Sequence, residues 1–164
     1  MSIQLRFWDA RILTLLACAC LFFACTDPYL YNEKQTIPNG NWSYADTLNF
    51  KVQVNDTAAL YNLFIAFEYA DTFPNQNVYL KLSTRFPDGK RAQRTKSFDL
   101  FDFGGNPIGK CSGKWCTQQT LLQNNLYFNQ LGEHMITLEQ FTRKNPLPGI
   151  KSISLQLEKT DKKR

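Results

Sequence analysis

From Leu48 onward the chain alternates. In "LNFKVQV" Leu48, Phe50, Val52 and Val54 fall on one side, and Asn49, Lys51 and Gln53 on the other. That two-residue period predicts a strand wetted on one face. "NDTA" interrupts it, and "LYNLFIAFEYA" follows, apolar over nearly its whole length. Its composition predicts a central strand buried on both faces, with a helix as the alternative. "NVYLKLSTRF" alternates again through Val78, Leu80, Leu82, Thr84 and Phe86. The tight-turn signal "PDG" at Pro87–Gly89 then returns the chain as "KRAQRTKSFDL", predicting a hairpin. Residues 104–125, with four glycines and several Gln and Asn, read as irregular, and Leu126–Phe128 as a short strand. "EHMITLEQF" and "IKSISLQLEK" predict the last two strands, joined by the Pro-rich "TRKNPLPGI". Seven or eight short strands punctuated by turns predict an all-β fold, an antiparallel β-sandwich.

The first 45 residues break this pattern. Arg6 and Arg11 precede an uncharged run from Ile12 to Ala24, which ends at Cys25 before polar Thr26 and Asp27. Crossing a bilayer takes about 20 apolar residues, so this run matches the core of a signal peptide rather than a membrane span. "FFAC" sets a small residue directly before Cys25 and resembles a bacterial lipobox. In lipoproteins the thiol of that cysteine takes a diacylglyceryl group, the leader is cut before it, and the new amino terminus is acylated. Cys18, after "LLA", competes, but cutting there leaves too short an apolar run and exposes "ACLFFAC"; Cys20 lies inside the run. Cys25 is therefore the expected lipidation site. Ordinary secretion and a core helix are the plainer readings of the same segment.

These patterns divide the chain into a signal peptide at 1–24, a lipidated cysteine and tether at 25–45, a β-sandwich at 46–159, and a frayed basic tail at 160–164. Setting aside residues 1–24, which hold Arg6, Arg11 and Asp9, lowers the formal charge from +5 to +4. That surplus is ordinary for a solvated surface and suits a site near anionic lipid. No dense Lys/Arg cluster is interleaved with stacking aromatics, so nucleic acid is not an expected partner.

Candidate chemistry is sparse. Cys111 and Cys116, in "GKCSGKWCTQQ", read either as a disulfide in an exported protein or as two separate thiols. His134 is the only histidine, and no His/Cys set has zinc spacing, so no metal is expected. Asp99, Asp102 and Glu68 are carboxylates without a spacing that points to hydrolysis, and solvated or capping roles fit them better. "GGNPIGK" lacks the following Ser/Thr of a phosphate loop. Trp42, Trp115 and Tyr127 are candidates for a sugar-stacking platform, with core or rim packing the plainer role. No catalytic residue, cofactor or small-molecule substrate is expected.

Taken in order, the lipobox cysteine, "IPNGNW", "YNLFIAFEYADTFPNQNVYLKL", "FPDGK", "GKCSGKW" and "GEHMITLEQFTRKNPLPGIKSISLQLEK" resemble the gliding motility lipoprotein GldH family of Bacteroidetes across the mature chain. The paired cysteines at 111 and 116 depart from that pattern. The resemblance implies a membrane-anchored, non-enzymatic accessory of the gliding and type IX secretion machinery, with other envelope proteins as partners. Its one residue with a clear chemical role is the lipidated cysteine, here Cys25. The implied location is the cell envelope, on the outer membrane facing the periplasm in preference to the inner membrane. The alternative is a glycan-binding envelope lipoprotein of a polysaccharide-utilisation system. The 104–125 region and "RKNPLPG" are the expected binding surfaces.

Overall fold

A computed structural model describes residues 28–164, so the expected signal peptide at 1–24 and the expected lipidation site Cys25 lie outside the described residues. The strands, in chain order, are β1 (Tyr31–Thr36), β2 (Asn41–Trp42), β3 (Leu48–Val54), β4 (Ala59–Ala70), β5 (Asn77–Arg85), β6 (Arg91–Asp99), β7 (Lys110–Ser112), β8 (Trp115–Leu126), β9 (Gly132–Gln140), β10 (Leu147–Pro148) and β11 (Ile150–Lys163). They build a five-stranded sheet ordered β1-β11-β4-β8-β7 and a four-stranded sheet ordered β3-β9-β5-β6, with a small β10-β2 ladder at one end. Every pairing is antiparallel. The architecture is the expected sandwich, with eight longer strands and three short ones.

Alternation decides which side chains form the core. Leu48, Phe50, Val52 and Val54 of β3 are buried, and so are Tyr61, Leu63, Ile65, Phe67 and Tyr69 of β4. These inward faces meet across the sandwich: Phe67 of β4 packs on Phe98 of β6 with ring centroids 5.1 Å apart. β4 is central, as its apolar run predicts, but only its inner face is fully buried. Asn62, Phe64, Ala66 and Glu68 on the outer face are half-buried. At the β11 entry the register shifts between Ile150 and Ser152, a bulge that turns Lys151 outward. Gly149 precedes it at φ +89, a conformation that costs other residues strain, and a Cβ there would lie 3.1 Å from Phe73.

Three expectations need correction. Residues 25–45, read as a tether, include β1 and β2. β1 is almost wholly polar, so no hydrophobic alternation marks it, and its backbone ladder to β11 holds it as an edge strand. Residues 104–125, read as irregular, contain β7 and most of the 12-residue β8. Gln119, Asn124 and Asn125 of β8 face water and hide its period, and Leu126 ends this strand rather than starting another. The tail at 160–164 is not frayed: β11 continues through it, Lys163 pairs with Ala59, and the Arg164 amide donates to the Ala58 carbonyl at 2.8 Å.

Candidate functional site

Among the described residues a large concavity lies where β5 and β9 meet the 141–149 loop. The Phe141 amide donates to the Tyr79 carbonyl at 2.8 Å, extending the β5–β9 ladder by one residue. Opposed residues on antiparallel strands share a face, so both rings project from the outer side of the four-stranded sheet. Each stays wet, Tyr79 at 44% and Phe141 at 59% exposure. Tyr44 arrives from the connection before β3, and its hydroxyl donates to the Thr142 carbonyl. These three rings, with Asn75, Arg143 and Lys144, border an open groove of about 1240 Å³.

One buried amide shapes the wall of this groove. Gln140 occupies the inward position that follows His134, Ile136 and Leu138 along β9, and is 2% exposed. Its Oε1 accepts from the Thr142 amide at 3.0 Å and from the Thr142 hydroxyl at 2.7 Å, while its Nε2 donates to the Lys144 carbonyl at 3.2 Å. The Tyr44 amide donates to Asn145 Oδ1 at 2.9 Å. The loop is thus fixed from inside, and the aromatic rim stands on a rigid base. Arg143 and Lys144 give the rim positive charge. Glu139, among the described residues the one carboxylate of the lining, is ion-paired to Lys81 at 2.5 Å.

The other flagged residues lie elsewhere. Cys25 is outside the described residues. Cys111 and Cys116 oppose one another in the β7–β8 hairpin and are joined by a disulfide. His134 is buried between Phe128 and Phe86, 4.8 and 5.9 Å away between ring centroids. Burial lowers its pKa, only partly offset by the Gly132 carbonyl 3.3 Å from Nδ1. Its Nε2 meets no partner. This is a core histidine.

Glu68 projects from the outer face of the five-stranded sheet and accepts from Lys151 at 2.5 Å, Lys34 at 2.6 Å and Ser152 Oγ at 2.9 Å. Burial alone would raise its pKa, but the two ammonium groups and the hydroxyl outweigh it and pull the carboxyl down to about 2. Asp102 caps a turn by accepting the Gly104 and Asn106 amides, each at 2.8 Å. Gly109 of "GGNPIGK" lies so close to β8 that a Cβ would stand 2.5 Å from the Thr117 carbonyl oxygen, which accounts for that glycine by packing. The proposed sugar platform is not assembled. Trp42 is fully buried, and Trp115 and Tyr127 stand at opposite ends of β8.

Of the two expected surfaces, "RKNPLPG" gives the groove Arg143 and Lys144, and the 104–125 region gives it none of its lining. The residues that sequence reasoning missed are Tyr44, Tyr79, Phe141 and Gln140. A glutamine at an inward-facing strand position was the one available signal. Among the described residues no group of three or more His, Cys, Asp or Glu is placed to hold a metal, and no helix is long and apolar enough to cross a membrane.

Comparison with known proteins adds a family to this geometry. The family profile described as GldH lipoprotein matches residues 29–157. The chain is 26% identical over 148 residues to the gliding motility lipoprotein GldH homolog of Christiangramia forsetii, covering 86% of this chain and 90% of that protein. It is 23% identical over 144 residues to the gliding motility lipoprotein GldH of Flavobacterium johnsoniae, covering 85% and 86%. Among solved structures it is similar to a family 35 carbohydrate binding module from Clostridium thermocellum. The identity there is 16%, over 78% of this chain and 89% of that one, with a TM-score of 0.36. Nothing about a ligand follows from a likeness at that level.

Proposed function

We propose, from the premise that the chain belongs to the GldH lipoprotein family, that it is a lipid-anchored, non-enzymatic accessory of the gliding-motility and type IX secretion machinery. The anchor is the acylated Cys25, on the outer membrane facing the periplasm. Each buried methylene contributes about 0.8 kcal/mol, so a triacylated cysteine holds the domain at its membrane durably. Confinement raises the effective concentration near envelope partners, and weak contacts then suffice.

The observation that carries the docking role is the groove bordered by Tyr44, Tyr79 and Phe141. Exposed aromatic rings on a fixed frame, with cationic neighbours, are the residue types that anchor protein interfaces. The reading of a docking module rather than an enzyme is supported by the separation of the acids: Glu68 and Asp102 lie away from the groove, and Glu139, the carboxylate in its lining, is ion-paired to Lys81. Crosslinking in membranes followed by purification tests this. The expected result is capture of envelope proteins by the wild-type chain and their loss in a Y79A/F141A variant that stays membrane-bound. Equal capture by both, or none by either, contradicts it. Deletion of the gene, scored for secretion and for colony spreading, tests the link to the machinery.

One observation favours the second reading, a glycan-binding envelope lipoprotein. The same three rings stand around polar Asn75, Asn77 and Thr95, and sugar rings stack on aromatic faces. A glycan array without hits removes it.

A further inference from the structure

The chain enters the fold on one side of the sandwich. The Leu30 amide donates to the Leu157 carbonyl at 2.8 Å, holding the chain at the edge of the five-stranded sheet. Directly before it, Tyr29 lies across the outer face of that sheet. Its ring meets Phe64 of β4 edge-on at 6.0 Å, and its hydroxyl accepts from Gln119 Nε2 of β8 at 2.6 Å. Gln119 also donates to Gln156 of β11 at 2.7 Å. Three strands thus clamp the entering segment on one face.

Cys25 is four residues upstream of Tyr29. A fully extended chain spans at most about 3.6 Å per residue, so the leash reaches no more than about 14 Å. Two packed sheets stand about 10 Å apart, and their outward side chains bring the two outer faces to roughly 20 Å or more. The leash is too short to lay the four-stranded sheet on the membrane that holds the anchor.

The chemistry of the clamped face agrees. Trp115 has Lys151 Nζ at 5.2 Å and Lys114 Nζ at 5.7 Å from its ring centroid. Lys34 and Lys110 are exposed on the same side. Leu121, beside Phe64, is 43% exposed, and Leu30 is 62% exposed. Tryptophan among lysines, with scattered exposed leucines, suits the headgroup layer of an anionic bilayer. The β5–β6 hairpin is also basic, through Arg85, Lys90, Arg91 and Arg94, so charge alone does not choose a face; the leash does.

We propose that the outer face of the five-stranded sheet lies against the anionic headgroups of the membrane that carries the anchor. The four-stranded sheet and its aromatic groove then face away from the bilayer, toward partners. This rests on acylation at Cys25 as proposed above.

Tryptophan fluorescence reports it, because the chain after residue 24 holds only Trp42, which is buried, and Trp115. The acylated mature protein is reconstituted into phosphatidylethanolamine–phosphatidylglycerol vesicles, with and without acyl chains brominated near the headgroup. Brominated chains are expected to remove about a third to a half of the emission, Trp115 supplying the quenched share. W115F should lose this effect, W115F/L121W should regain it, and W115F/Y79W should not. The orientation is overturned if the protein floats with the vesicles while wild type and W115F/L121W emit equally in both kinds, or if W115F/Y79W is quenched. A protein that does not float overturns the Cys25 reading itself, and the orientation with it.

Discussion

Gln140, buried at the end of β9, donates its Nε2 to the carbonyl of Lys144 at 3.2 Å. With the two bonds it accepts from Thr142, this contact holds the groove wall from inside the core. Q140L removes all of them: the Thr142 amide loses its acceptor, and the Lys144 carbonyl keeps only the Thr142 hydroxyl, 3.2 Å away. The substitution should lower stability by about 1–3 kcal/mol in chemical denaturation. Hydrogen exchange should accelerate at Thr142, while the β4 and β11 amides stay protected. Unchanged exchange across 141–146 would mean the loop is held by other contacts.

Glu68 gives the fold a defined acid response. Its carboxyl titrates near 2 in the folded protein, against an ordinary 4.5. Stability from a depressed carboxylate is complete above the ordinary value and is lost as pH falls through the folded one. Lys34 and Lys151 are about half exposed, so screening reduces the effect to about 1–2 kcal/mol. Denaturation curves between pH 6 and 2 should show that loss in the wild-type protein and a flatter profile in E68Q. Parallel profiles would contradict the role assigned to the cluster.

His134 acts in a separate window. Burial holds its pKa below the ordinary 6.5, so the unfolded chain takes up its proton first and stability declines as pH drops below that value. H134F keeps a ring beside Phe128 and Phe86 and removes an unpaired Nε2. Its stability should fall less than wild type between pH 6.5 and 5, with no loss at pH 7.5. The imidazole resonances of the native protein should titrate below 6.5, and titration at or above 6.5 would contradict the buried neutral ring.

The Cys111–Cys116 disulfide closes a short hairpin, and a loop that small limits the loss of unfolded-chain entropy to about 2 kcal/mol. A C111A/C116A variant should fold, remain at the membrane and lose no more than that in denaturation. Collapse of the sandwich would show that the bond does more than stiffen the hairpin.

The sequence showed the sandwich where side chains alternate strictly. β3, β5 and β9 have inward-facing, mostly apolar residues at every second position, and β11 does so from Ile153 to Leu157 beyond its bulge, because one face of each meets the core. It failed where backbone pairing dominates. β1 is polar on both sides and is held by its ladder to β11, and β8 carries amides on its wet face. The site was harder to read. Tyr44, Tyr79 and Phe141 are far apart in sequence and meet only because β5 pairs with β9 and a buried glutamine folds the loop. An isolated exposed aromatic carries no such information in one dimension. Tyr29 shows the same limit: as a sequence position it belongs to a tether, and only the sheet register reveals that it clamps the chain to one face.

The most direct test is mass spectrometry of the mature amino terminus, taken from membranes. The account predicts an N-terminal peptide that starts at Cys25 and bears a diacylglyceryl thioether and an amide-linked acyl chain, absent when Cys25→Ser is expressed. A membrane-bound chain starting at another residue, or an unmodified Cys25, would contradict it.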